Sequence, residues 1–187
     1  MLQAGNTHEN LLELKAGNEM DTTLKTTIWQ QFGAAIDMLD DAISACPERL
    51  WTTVLWDDSE DPSYGQFWFV AYHTLFWLDL YLTGSSDGFL PPAPFIRGAL
   101  PEKPYTKGEV RTYLKQCRQK CEAVINALTD EKARQICTFE WMEPTFLELQ
   151  LYSMRHVQEH ASQLSFLLGQ NSVSGPDWVA KARDKAS

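Results

Sequence analysis

The chain has 187 residues and a formal net charge of −9, with 44% hydrophobic and 22% charged residues. These values are typical of one globular domain with a full core, and they exclude an intrinsically disordered chain. The acidic charge argues against nucleic-acid binding, and the lack of an apolar run of about 20 residues argues against a membrane span. Because the first residues lack the features of a signal peptide, we expect a cytoplasmic protein with its four cysteines reduced.

The first predicted helix follows a polar, acidic segment, residues 1–20, which we expect to form a loose N-terminal arm. Helix one begins near Asp21 or Thr22, because either side chain can cap a helix, and it ends at Cys46-Pro47. Between these ends, apolar residues recur at the three- and four-residue steps of an amphipathic helix: Leu24, Ile28, Phe32, Ile36, Leu39 and Ile43. Residues 48–61 predict a packed loop with a turn of helix.

Helix two is predicted to start at Asp61-Pro62, a cap followed by a proline suited to the first helical turn. It runs through residues 64–82 and stops at Gly84, and its centre is apolar on nearly every side, which indicates burial on several sides. Residues 84–105 contain five prolines and cannot be helical. Because this segment also carries apolar side chains, we expect it to lie against the bundle or a partner.

Two further helices open with capping boxes. Helix three starts at Thr106–Glu109 and continues to about Leu128, where a short acidic turn follows at residues 129–131. Helix four starts at Thr145–Glu148 and runs to Gly169.

The four helices predict an all-α four-helix bundle over residues 21–170, followed by a C-terminal tail over residues 171–187. A long crossover between helices two and three allows consecutive helices to run parallel, so we expect the order up-down-down-up. That order places helices two and four antiparallel.

Three of the four histidines, His73, His156 and His160, lie near the middles of helices two and four, whereas His8 lies in the arm. A four-residue spacing puts His156 and His160 on one helical face, and the midpoints of antiparallel helices meet at one height, so all three rings can converge inside the bundle. Three neutral imidazoles suit Zn²⁺, Ni²⁺, Fe²⁺ or Cu²⁺ and leave a coordination position open. The alternative is that these histidines are ordinary packing residues.

The residues around these histidines resemble the DinB-like, or YfiT-like, metalloprotein superfamily. The matching segments are residues 61–66 leading into 72–75, and residues 155–164. The resemblance implies a four-helix bundle that binds a divalent metal through His73, His156 and His160. It also implies thiol-dependent transferase or isomerase chemistry as one possible role, and a homodimer, since members of the family are often dimers.

Other polar residues are weaker candidates. Gln163 shares a face with His156 and could touch a bound water, although a helix-packing role is commoner; Tyr152 could contact the site, although core packing is favoured. Glu159 points away from His160 and is predicted to be solvated. Cys117 and Cys121 are four residues apart, but without further ligands they are predicted to be small buried residues or redox-labile thiols.

The sequence leaves three functions open. The first is a metal-dependent hydrolase or thiol transferase acting on a small molecule, with no identifiable general base; the second is a metal-binding or stress-related protein without catalysis. The third is a metal-free interaction bundle that uses its apolar loop and tryptophans. Trp51, Trp56 or Phe95, if exposed, could form the interface of a homodimer.

Overall fold

The computed structural model describes residues 20–184, and the regular elements in that part of the chain are helical, as predicted. The α-helices are α1 (Thr22–Ala45), α2 (Phe67–Thr83), α3 (Lys107–Asn126), α4 (Asp130–Arg134) and α5 (Phe146–Gln170), with 3-10 turns at Glu48–Leu50 and Pro62–Gly65. The predicted helix four is α5, and the predicted acidic turn is the short helix α4. The predicted N-terminal arm lies outside the described residues, except for Met20, which is buried.

The helix ends follow from local hydrogen bonding. Asp21 caps α1 by accepting from the backbone of the first turn, and both predicted capping boxes are formed. Gly84 ends α2 with a φ of 79°, a left-handed conformation that glycine adopts without steric cost. Of the six apolar positions predicted for helix one, Leu24 is exposed and the other five are buried. No helix within residues 20–184 combines the length and apolarity that crossing a bilayer requires.

The predicted start of helix two, at Asp61-Pro62, is wrong by about one and a half turns. Asp61 caps a 3-10 turn instead, and the backbone is extended at Gln66 before α2 begins at Phe67. The cause is a long-range pairing: the N–H of Leu55 donates to Gly65, and the N–H of Phe67 donates to Thr53. Backbone groups paired in this way cannot also continue a helix across residues 65–66.

Helix α1 packs against α3 and α5, and α2 packs against the same two helices. Ion pairs join Asp40 to Arg111 and the more buried Asp37 to Arg118, so α1 and α3 run in opposite directions. At the other interface of α3, the ring of Tyr72 contacts Tyr105 just before α3 begins. Further along, Lys120 donates to the Asp79 carboxylate, so α2 and α3 run in the same direction.

The loop after α1 is packed and the crossover lies against the bundle, as predicted. Phe95 is buried and stacks on Tyr72 with ring centroids 5.4 Å apart, and Trp51 is buried with its indole N–H donating to the carbonyl of Tyr105 at 2.8 Å. The expectation that Trp51 and Phe95 could be exposed at a dimer interface is therefore wrong, because both fill the core beneath the crossover. Trp56 is partly exposed.

The end of the segment 171–184, whose composition predicts a tail, is bonded to α1. The N–H of Ala182 donates to the carbonyl of Gln30, and the N–H of Arg183 donates to the Asp37 carboxylate at 2.7 Å. A Cβ at Gly33 would lie 2.5 Å from the Cβ of Ala182, so only glycine allows this approach. The attachment depends on backbone groups, which composition does not reveal.

Replacing Gly65 with alanine tests the pairing that delays the start of α2. A Cβ there would lie 2.0 Å from the carbonyl oxygen of Trp56, so we expect the free energy of unfolding to fall by about 1–3 kcal/mol. Gly108→Ala is the matched control, because its nearest neighbouring atom would be 4.0 Å away, and it should be neutral or slightly stabilising. Denaturant unfolding measures the stability of both variants. Equal stabilities would contradict the close approach of Gly65 to the Trp56 carbonyl.

Candidate metal centre

The structure brings His73 of α2 together with His156 and His160 of α5. The Nε2 atom of His156 lies 3.3 Å from Nε2 of His73 and 3.0 Å from Nε2 of His160. One nitrogen of each ring lies within 4.8 Å of one nitrogen of each of the other two rings. Within residues 20–184, these histidines form the only group of three or more clustered metal-ligating side chains.

The cluster lies on the flank of the bundle, which corrects the expectation that it would lie inside it. On α5, the core-facing residues are Val157, Ala161 and Leu164, all fully buried, and the two histidines sit beside them around the helix. All three histidines are half-buried in the groove between α2 and α5. A ligand can therefore reach the rings from outside without opening the core.

Two of the three nitrogen–nitrogen separations fit a tetrahedral metal ion. Ligand nitrogens about 2.0–2.1 Å from a zinc ion at tetrahedral angles lie roughly 3.3 Å from one another. The observed separations of 3.0 and 3.3 Å match this value. Hydrogen bonds between the rings would fit this arrangement less well. Nε2 of His156 faces two other Nε2 atoms, and a ring nitrogen of a neutral imidazole has one proton or one lone pair, so it can bond well to only one of them.

The environment keeps the three imidazoles neutral. Burial, with repulsion from the other two rings, lowers the pKa of His73 to about 3, and burial together with His160 lowers the pKa of His156 to about 4. Burial also lowers the pKa of His160. At neutral pH each ring therefore keeps a lone pair that can bind a metal.

Gln163 orients one of the three histidines. Its Oε1 accepts from Nδ1 of His160 at 2.7 Å, which leaves Nε2 of His160 unprotonated and directed at the other two rings. The bond differs from the predicted water contact or packing role of Gln163, although the three-residue spacing from His160 could have indicated it. Nδ1 of His156 is buried with no hydrogen-bond partner among the described residues.

Three clefts meet at the cluster, and His73 lines all of them. The crossover cleft, about 340 Å³, lies between aromatic residues on and before α2 and residues 96–99 of the crossover. The Asp58 cleft, about 300 Å³, contains Trp56, Asp58 and His160, and the Trp141 cleft, about 430 Å³, contains His156 and four aromatic side chains: Trp77, Tyr81, Trp141 and Tyr152.

The residues around the cluster differ in exposure. Tyr152 is 41% exposed and lines the Trp141 cleft beside His156, so its predicted core packing is wrong. Glu159 is exposed, as predicted.

Trp77 and Trp141 also lie at the site and were not predicted. Trp77 is one turn after His73 on α2, with ring centroids 6.1 Å apart, so its four-residue spacing could have indicated this contact. Trp141 contacts Trp77, with centroids 5.4 Å apart, from a segment distant in sequence.

Cys117 and Cys121 behave as small buried residues, one of the two predicted alternatives. Both are buried, and burial raises the pKa of each thiol. Since the thiolate is the form that binds metals, this environment disfavours a second metal site at these residues.

The helices and the cluster define an all-α bundle with three histidines converging on one flank. The model of the DinB superfamily matches residues 31–164, which include all three histidines, and the chain belongs to this superfamily, as its motifs predicted. The structure is similar to that of YjoA, a DinB-like protein from Bacillus subtilis, with a TM-score of 0.53 and 13% sequence identity over 84% of this chain and 99% of that one. At this identity the likeness concerns the fold. Comparison with curated proteins finds no match.

The lowered pKa values predict how pH affects the metal-free protein. Below the ordinary pKa of 6.5 the unfolded chain takes up protons that the folded chain rejects until the pH approaches 3 at His73 and 4 at His156. The free energy of unfolding should therefore fall as the pH drops from 6.5 to 4. Urea unfolding with chelator at several pH values measures this fall. The fall should be smaller in His73→Gln, which lacks one of the two groups. Equal dependence on pH in the two proteins would contradict the lowered pKa of His73.

Proposed function

We propose that this protein binds one divalent metal ion through His73, His156 and His160, and that it is a metal-dependent hydrolase or thiol-dependent transferase. The observation that supports this most directly is the spacing of the three Nε2 atoms, at 3.0 and 3.3 Å between neighbouring pairs. A three-nitrogen set suits zinc, nickel or iron and leaves a position for substrate or water, as catalytic sites do.

The residues around the ligands have separate roles in this proposal. The bond from His160 to Gln163 holds one ring in its metal-binding tautomer. The aromatic walls of the clefts exclude water from part of the coordination face and bind the apolar part of a small molecule. The ion, when bound, would act as a Lewis acid toward a carbonyl, a water or a thiol.

Metal content tests the ligand assignment. Protein purified without an affinity tag should contain about one equivalent of divalent metal and should melt at a higher temperature when zinc or nickel is added. Alanine at His73, His156 or His160 should remove both effects. Gln163→Ala should weaken metal binding by about 10–100-fold.

The matched control is Gln158→Ala on the same helix, since this side chain contacts Met38 and Ser162 and no histidine. It should keep the metal affinity of the wild type. Wild-type protein without metal, and with unchanged melting on addition of zinc and nickel, would contradict the ligand assignment and favour an interaction bundle.

Turnover separates an enzyme from a metal-binding protein without catalysis. A panel of carboxylic esters and of small thiols with electrophilic acceptors should include a substrate whose turnover stops with chelator, returns with metal and is lost in His160→Ala. Full turnover after complete metal removal would rule out the metal-dependent mechanism. Metal-loaded protein that is inactive across the panel would favour the non-catalytic role.

A further inference from the structure

The crossover cleft has the size and lining of a small-molecule site. Its volume of about 340 Å³ is within the range of ligand pockets, and its wall on the α2 side is aromatic, including Phe69, Phe76 and Trp77. His73 also lines it, so a molecule in the cleft lies beside the metal ligands. Among the described residues, Arg97 is the one Asp, Glu, Lys or Arg side chain that lines this cleft.

Arg97 is held at the rim of this cleft by the backbone. Its Nη1 donates to the carbonyl oxygens of Ser86 and Phe89, each at 3.1 Å. None of the ion pairs formed within residues 20–184 includes Arg97. Two bonds on one nitrogen use only part of the five-donor guanidinium, so donors remain for a ligand at the rim of the cleft, and no carboxylate among the described residues pairs with its charge.

The neighbouring residue Ile96 is fixed on both sides. The hydroxyl of Tyr72 donates to the carbonyl oxygen of Ile96 at 2.5 Å, and the N–H of Ile96 donates to the hydroxyl of Tyr105 at 3.1 Å. This part of the crossover is thus bonded to α2 and to the segment that begins α3. Arg97 therefore has a defined position before any ligand binds, which reduces the entropy cost of binding.

We propose that the crossover cleft binds a small carboxylate with an aromatic or other apolar body. The carboxylate pairs with Arg97, whose planar fork suits two parallel hydrogen bonds, and the body lies along the rings of α2 toward His73. The proposal rests on the proposed function, because it names the substrate class of that metal centre. The Asp58 cleft fits a carboxylate less well, since Asp58 would repel it.

The test compares hydrocinnamate with its neutral amide, titrated by NMR into zinc-loaded and into chelator-treated protein. The acid should bind wild type about tenfold more tightly than the amide does, because only the acid forms charge-assisted hydrogen bonds. Arg97→Gln should remove this difference without changing the affinity for the amide, and Arg97→Lys should restore part of it. Arg134→Gln, which removes an equal charge on α4, is the control and should bind like wild type.

Several results would overturn the proposal. These are equal affinities of wild type for the acid and the amide, no binding of the acid, or an Arg97→Gln variant that loses both ligands equally. Acid binding that needs zinc and not Arg97 would place the carboxylate on the metal and would also overturn it.

Zinc content is measured on the same samples, so the two proposals fail separately. If the protein takes up no zinc when zinc is added but still prefers the acid through Arg97, the result contradicts the metal centre alone. A zinc-loaded protein without that preference contradicts the substrate class alone.

Discussion

The register between α2 and α5 is the constraint on which the site depends. Beyond the histidines, the buried side chain of Gln150 donates to the carbonyl of Tyr81 at 3.0 Å and fixes the start of α5 beside the end of α2. A slip of one turn would move one helix by about 5.4 Å, whereas metal–nitrogen bonds are only about 2 Å long. One antiparallel interface thus positions all three rings at once.

Burial and the proposed metal binding favour the same protonation state at this interface. Removing an imidazole from water disfavours its charged form, and a second imidazole nearby disfavours it further. Both effects lower the pKa values of His73 and His156, and both keep nitrogen lone pairs available. The half-buried position on the flank therefore leaves the rings neutral and still accessible to ligands.

The loops around the site are organised by aromatic packing. The carbonyl oxygen of Tyr105 accepts a hydrogen bond from the indole N–H of Trp51, and the rings of Tyr105 and Phe95 have centroids 4.6 Å apart. One residue thus joins the loop after α1 to the crossover. Because each side chain buries a large apolar area, few residues are needed to order long segments without regular structure. This packing holds Arg97 and the aromatic walls in fixed positions around His73.

The sequence by itself determined the features that depend on neighbours along the chain. N-caps at Asp21, Thr106 and Thr145 begin helices through bonds to residues two or three positions ahead. Gly84 ends α2 through its own backbone freedom, and the spacing of His156 and His160 puts both on one face. The tertiary structure alone decided the delayed start of α2, the burial of Trp51 and Phe95, the attachment of residues 171–184 and the flank position of the site. Each of these depends on contacts between segments far apart in sequence, and hydrophobic burial, which is non-directional, does not specify from composition which segments meet.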